Sequence, residues 1–168
     1  MAGPPFTLQV ETHEGLEALV RAIRAEADGK QLRKELARNM RNALKPAAAE
    51  AKSSIMGMAS ATGDTSPALR SSIAKKIRPE VKLGGNWSGA RVKAFKTRGV
   101  RGFPNAPKRT NRAGGWRHPV WGDREVWVQQ HGKIDWFDRS FEGRAGHYRQ
   151  EVMNAMEDMA QRIADRAG

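Results

Sequence analysis

Cysteine is absent from the 168 residues. That excludes a disulfide framework, a thiolate zinc site and a cysteine nucleophile together. Long apolar runs are missing too: none approaches the roughly 18 residues that a membrane span requires, so no membrane partner is expected. Met1–Val10 lacks the basic stretch followed by an apolar core that marks a signal peptide. A reducing compartment, or release by another route, is therefore expected. Hydrophobic residues make up only 39% of the chain, against an average of about 45–50% when Gly is counted. The core should be modest, but the length suits a single domain, 1–168, with loops to spare.

Acidic residues are scarce in one region. The formal net charge is +12, and its placement is uneven. Between Lys75 and Trp116 stand Lys75, Lys76, Arg78, Lys82, Arg91, Lys93, Lys96, Arg98, Arg101, Lys108, Arg109 and Arg112, with Glu80 the only acid. The helical segments on either side are close to charge balance. Such a block attracts polyanions and speeds encounters with acidic partners.

Hydrophobic spacing gives the order of elements. Phe6, Leu8 and Val10 alternate with polar residues and predict a short strand. Thr12 is placed to cap a helix carrying Leu16, Leu19, Val20 and Ile23, which Gly29 stops. Leu32, Leu36, Met40, Ala43 and Leu44 form one stripe, and Ala47, Ala48, Ala51 and Ile55 continue it beyond Pro46. Either one kinked helix from Gln31 to Met56 or two helices with Pro46 opening the second are expected. The stretch 57–67 reads as loop. Leu69, Ile73 and Ile77 follow at helical spacing, with a strand from Ser71 as the alternative, and Pro79 is expected to end the element. Val81, Leu83, Val92 and Phe95 suggest a hairpin turning near Asn86–Gly89. Residues 97–115 show almost no apolar periodicity and predict a flexible basic loop or arm. Val126 and Val128 alternate with Trp127 in the strongest strand of the second half. Tyr148, Val152, Ala155, Met156, Met159 and Ile163 mark an amphipathic final helix. The expected class is α+β: a small antiparallel or mixed sheet against a long N-terminal helix and an amphipathic C-terminal helix, with a long basic loop.

The chain offers little for catalysis. His13, His118, His131 and His147 are too dispersed for metal-ligand spacing and read as turn or surface residues. Asp135 and Asp138 flank Trp136–Phe137, with Asp123 and Glu125 upstream. Paired acids of this kind bind magnesium or act as acid and base, but a turn at Asp135 and a helix start at Asp138 account for them. The glycines form no phosphate loop or dinucleotide fingerprint, and the serines have no nucleophile context. No catalytic, metal or cofactor residue is expected, and the chain is not expected to be an enzyme.

The cationic block is interleaved with Trp87, Phe95, Phe103 and Trp116. Single-strand binders combine basic side chains with aromatics that stack bases; protein interfaces favour the same Trp and Arg. Both readings stay open. Trp116, Trp121, Trp127 and Trp136, followed by Phe137 and Phe141, are dense enough to suggest a core plus a contact surface. The candidate contact residues are Arg91, Lys93, Lys96, Arg98, Arg101, Phe103, Lys108, Arg109, Arg112, Trp116, Trp121, Trp136 and Phe137.

The order of features carries a resemblance. A strand and helix precede a long Ala-rich helix. Thr62-Gly63 comes before Leu69-Arg70 and Ser72-Ile73. A basic β region leads to His118-Pro119-Val120-Trp121-Gly122, then Trp136-Phe137 and an amphipathic helix. Over residues 7 to 165 this resembles the minor tail and head–tail connector family, the neck and tail-completion proteins, of long-tailed double-stranded DNA phages. The resemblance implies a structural virion protein, forming a homo-oligomeric and often hexameric ring between capsid connector and tail tube, with DNA passing through the lumen. It implies adjacent connector or stopper and tail-tube proteins as partners, residence in the virion, and assembly in the host cytoplasm. It also implies that the His-Pro-x-Trp-Gly segment lies in a loop before a later strand. On this reading the basic arm reaches a neighbouring subunit or ring and becomes ordered on assembly, or directs arginines to the lumen. The alternative is a non-specific nucleic-acid-binding protein.

Overall fold

The computed structural model describes residues 7–10, 13–58, 68–100, 103–120 and 123–168. Strand β1 (Thr7–Val10) precedes helices α1 (His13–Ala25), α2 (Gly29–Met56) and α3 (Ala68–Ala74). Strands β2 (Ile77–Leu83) and β3 (Ser88–Ala94) follow, then α4 (Ala106–Asn111). Strands β4 (Trp116–Val120) and β5 (Asp123–Gln130), the short α5 (Trp136–Arg139) and the long α6 (Ala145–Ala167) complete the order. This is an α+β fold in which a small antiparallel sheet packs against helices, including long ones near both ends. Phe6, Thr12 and Thr62-Gly63 lie outside the described residues.

The scaffold is built on α2. Its apolar positions recur every three to four residues, so Leu32, Leu36, Met40, Leu44, Ala47, Ala48, Ala51 and Ile55 are all buried. The larger of these each stabilise the fold by roughly 1.5–3 kcal/mol relative to exposure. The stripe packs against β2, β3 and α6, and also meets α1, α3 and α5. The helix is continuous, with Pro46 inside it. Proline deprives the carbonyl four residues earlier of its donor. Here both Pro46 and Asn42 are exposed, so water can satisfy that carbonyl.

The sheet order is β1-β3-β2, all antiparallel. Ile77, Leu83, Ala90 and Val92 are buried on the face toward α2. Arg78, Glu80, Lys82, Arg91 and Lys93 alternate onto the other face. The expectation that Pro79 ends its element is corrected. Helix α3 stops at Ala74, and Pro79 sits inside β2, opposite Val92. An edge strand tolerates proline, because its missing N–H need not face a partner strand.

Helix α6 closes the core with Tyr148, Val152, Met156 and Met159. Its polar side is tied to α2 and to the turn before it. Arg162 bonds Glu35 at 2.5 Å, Arg166 bonds Asp28 at 2.8 Å, and Arg144 pairs with Glu50. The guanidinium of Arg166 holds the Asp28 carboxyl below its ordinary range.

Residues 97–115 are not without structure. Helix α4 lies within them, and its buried residues are Ala106, Pro107, Thr110 and Asn111. None of these is a large apolar residue, which is why no periodicity announced the helix. The start of the segment folds back on itself: Thr97 N–H donates to Pro104 O at 2.8 Å, and Thr97 Oγ1 donates to Phe103 O at 2.7 Å.

Candidate functional site

Strands β4 and β5 form a two-stranded antiparallel ribbon separate from the main sheet. Neither packs broadly on any other described element. Asp123 through Gln129 are all exposed. Strand geometry sends Val126 and Val128 to one face and Trp127 to the other. All three remain open to solvent, at 50%, 37% and 46% respectively, so both faces of the ribbon present apolar surface. Trp127 Nε1 donates to Arg124 O at 2.7 Å, and Arg117 lies 5.8 Å from the Trp127 ring, so the indole is held in place while exposed. A bare two-stranded ribbon is marginal in water, and its persistence needs an anchor.

The anchor is a buried polar staple at the ribbon's base, between α4 and α5. Trp136 Nε1 donates to Thr110 Oγ1 at 3.2 Å. Phe137 N–H donates to Asn111 Oδ1 at 2.9 Å, and Asp135 N–H donates to Asn111 O at 2.8 Å. Asp135, ahead of α5, makes no side-chain cap and adopts φ 55°. Asn111 therefore caps α5 from another element, satisfying one of the N–H groups that a helix start leaves open. Two glycines permit the close approach. A Cβ on Gly132 would lie 2.2 Å from Thr110 O, and one on Gly115 1.9 Å from Gln130 O. Arg112 Nε to Gly115 O and Gln129 Nε2 to Gly114 O, both 2.6 Å, tighten the same base.

Trp136 and Phe137, expected as contact residues, are instead fully buried. They stack edge to face, as do Phe137 and Phe141, and they seal the core beneath α2. Their position in the staple leaves no surface for a partner. Trp116 is half-buried against Phe103, with ring centroids 5.6 Å apart. Trp121 and Arg101 lie outside the described residues. His118, Pro119 and Val120 belong to strand β4, not to a loop as the resemblance implies, because β5 pairs with them. Trp127 carries the largest exposed ring of the ribbon, yet it was absent from the expected contact set. The alternation around it was visible in the sequence; the lack of a covering layer was not.

The outer face of the main sheet carries part of the cationic block, Arg78, Lys82, Arg91 and Lys93, and most of the rest lies beyond β3 and on α4. Arg91 pairs with Glu80 and stacks 4.0 Å from the Trp87 ring, which Lys82 approaches at 5.8 Å. Arg78 and Lys93 lie 4.4 and 5.0 Å from Phe95. Arg109 lies 5.8 Å from Phe103. Lys96, Arg98, Lys108 and Arg112 are exposed. The rings of Trp87 and Phe95 are thus occupied by the chain's own cations, which competes with base stacking.

Asp135, Asp138 and Glu142 line an open cleft of about 620 Å³. Partial desolvation raises the Asp138 carboxyl, Asn111 lowers it by hydrogen bonding, and Asp135 raises it further. Among the described residues no group of three His, Asp or Glu is placed to hold a metal ion. His131 sits 3.2 Å from Ala113 O, and His147 rests on Tyr148. Among the described residues, no helix is long and apolar enough to cross a membrane.

Compared with protein-family models, curated proteins and solved structures, the chain matches none.

Proposed function

We propose that the chain is a non-enzymatic structural subunit of a long-tailed phage virion, forming a homo-oligomeric ring at the head–tail junction through which DNA passes. One observation carries the reading: the firmly rooted ribbon exposes apolar residues on both faces. A subunit in a closed ring meets its neighbours through two different surfaces. A two-faced ribbon supplies one such surface, and burial of its Trp and Val side chains supplies the driving force. Adjacent connector, stopper or tail-tube proteins would meet the ring above and below. Mass measurement of the purified protein, with negative-stain imaging of large species, tests this. Rings are expected. A strict monomer, both alone and mixed with a connector ring, would contradict it.

A second reading, non-specific nucleic-acid binding, is favoured by the exposed cations Lys96, Arg98, Lys108 and Arg112 beyond β3 and around α4. It predicts salt-dependent binding to unrelated sequences that is lost when Lys108, Arg109 and Arg112 are neutralised.

A further inference from the structure

Helix α2 has a second side with an unusual charge pattern. Lys34, Arg38, Arg41, Lys45 and Lys52 are all exposed. With 3.6 residues per turn, the five fall within about 60° of one another around the axis. They form a ridge roughly 27 Å long at 1.5 Å per residue. No acid interrupts it. The two acids of α2, Glu35 and Glu50, face α6 and are taken by Arg162 and Arg144. Among the described residues none of the five cations is in an ion pair.

This arrangement works against the helix. Lys34 and Arg38, and Arg41 and Lys45, are like charges four apart, which destabilises a helix by about 0.2–0.5 kcal/mol per pair. The first turn carries no acid, and the N-cap Asp28 beside it is paired with Arg166. A merely solvated helix face normally interleaves opposite signs. The sheet's cations are already engaged with Glu80, Trp87 and Phe95. The ridge, by contrast, is a continuous row of exposed cations that no acid or aromatic ring among the described residues engages.

We propose that the exposed ridge of α2 is a contact surface for the phosphate backbone of double-stranded DNA. Protein interfaces centre on aromatic and aliphatic anchors, and membrane-surface helices insert Trp, Phe or Leu. The ridge has neither: Asn42, Ala49 and Ser53 are its exposed neighbours, and Met56 at its end is the one large apolar side chain open to solvent on α2. A row of cations with no apolar centre fits a rod of regularly spaced phosphates. The ridge matches about 8 base pairs at one charge per 1.7 Å. Such contacts carry no sequence preference, which suits a duplex that must move past. The inference deepens the ring reading, in which DNA passes the subunits.

The test is fluorescence anisotropy of two unrelated labelled duplexes of about 24 base pairs with the full chain, between about 50 and 200 mM salt. The protein's mass is determined in the same buffer. K34Q/R38Q/R41Q/K45Q should lose at least about 30-fold in affinity at the lowest salt, and its log–log salt slope should become shallower by roughly 2 to 4. The exchange K34R/R38K/R41K/K45R should retain binding, and R78Q/K82Q/K93Q should change affinity less than about threefold. Circular dichroism checks that every variant is folded. Wild-type protein that fails to bind, a helix variant that binds like wild type, or binding lost only in the sheet variant would each overturn the proposal. So would pelleting with anionic phosphatidylserine vesicles, abolished by the helix variant, in the absence of duplex binding. A chain that stays monomeric, both alone and mixed with a connector ring, yet binds through the ridge sinks the ring and keeps the ridge; a ring whose DNA binding ignores α2 does the reverse.

Discussion

Asn111→Ala tests the staple that roots the ribbon. Asn111 is 4% exposed, and its Oδ1 accepts the N–H of the fully buried Phe137 at 2.9 Å. Asp135 supplies no side-chain cap, so no other described group on α5 stands ready to replace the lost acceptor. Leaving a buried donor unsatisfied costs about 1–3 kcal/mol. The backbone bond from Asp135 to Asn111 O survives the substitution, so a middle value of about 2 kcal/mol is expected. In a chain of this size that lowers the melting temperature by roughly 4–8 °C. Urea unfolding followed by tryptophan fluorescence should show a lower midpoint with an unchanged slope. Thr110→Val, which removes the acceptor of Trp136 Nε1 but keeps the shape, should cost about 1 kcal/mol. Losses below about 0.5 kcal/mol for Asn111→Ala would refute the reasoning, because the site would then be no more than ordinary surface.

Gly132→Ala should cost more than about 2 kcal/mol, since its Cβ would fall 2.2 Å from Thr110 O and force the staple apart; thermal melts of the variant check this. Asp28 is held below its ordinary 3.8 by Arg166. Its contribution to folding is therefore fully present above that value and disappears as pH falls through the lowered folded one. Hydrogen-exchange protection in the last turn of α6, corrected for the intrinsic pH dependence of exchange, should fall over that acid window in the wild type and stay constant in Asp28→Asn. Iodide should quench Trp127 and leave Trp136 untouched, so Trp127→Phe lowers the quenchable fraction of the emission; equal quenching in the two proteins would contradict the exposure of the ribbon.

The helices were legible because large apolar residues recur at their spacing: Leu36, Met40 and Leu44 announce α2, and Val152, Met156 and Met159 announce α6. The hairpin of β2 and β3 was legible from Leu83 and Val92, although proline at position 79 masked where it begins. Helix α4 was illegible, since Ala106, Pro107, Thr110 and Asn111 bury small or polar groups that no hydrophobic pattern registers. For the same reason the staple could not be read: Thr110 and Asn111 matter through partners 26 residues away. Density of tryptophan pointed to the right region but not to the right ring. Burial of Trp136 and exposure of Trp127 depend on which element covers each, and that is a property of the tertiary arrangement. The spacing of the α2 cations alone puts them on one side, while the turning of Glu35 and Glu50 to Arg162 and Arg144, which leaves that side without an acid, is a property of the tertiary arrangement.

The most direct measurement is mass photometry of wild type beside V126T/W127S/V128T, with both proteins shown to be folded. A tryptophan presents about 150–250 Å², so the exposed part of Trp127 is roughly 100 Å², worth about 2.5 kcal/mol when covered. The account predicts ring-sized particles for the wild type and, for the variant, subunits whose association is weakened at least about 70-fold with their fold intact. Identical mass distributions for the two proteins would contradict it.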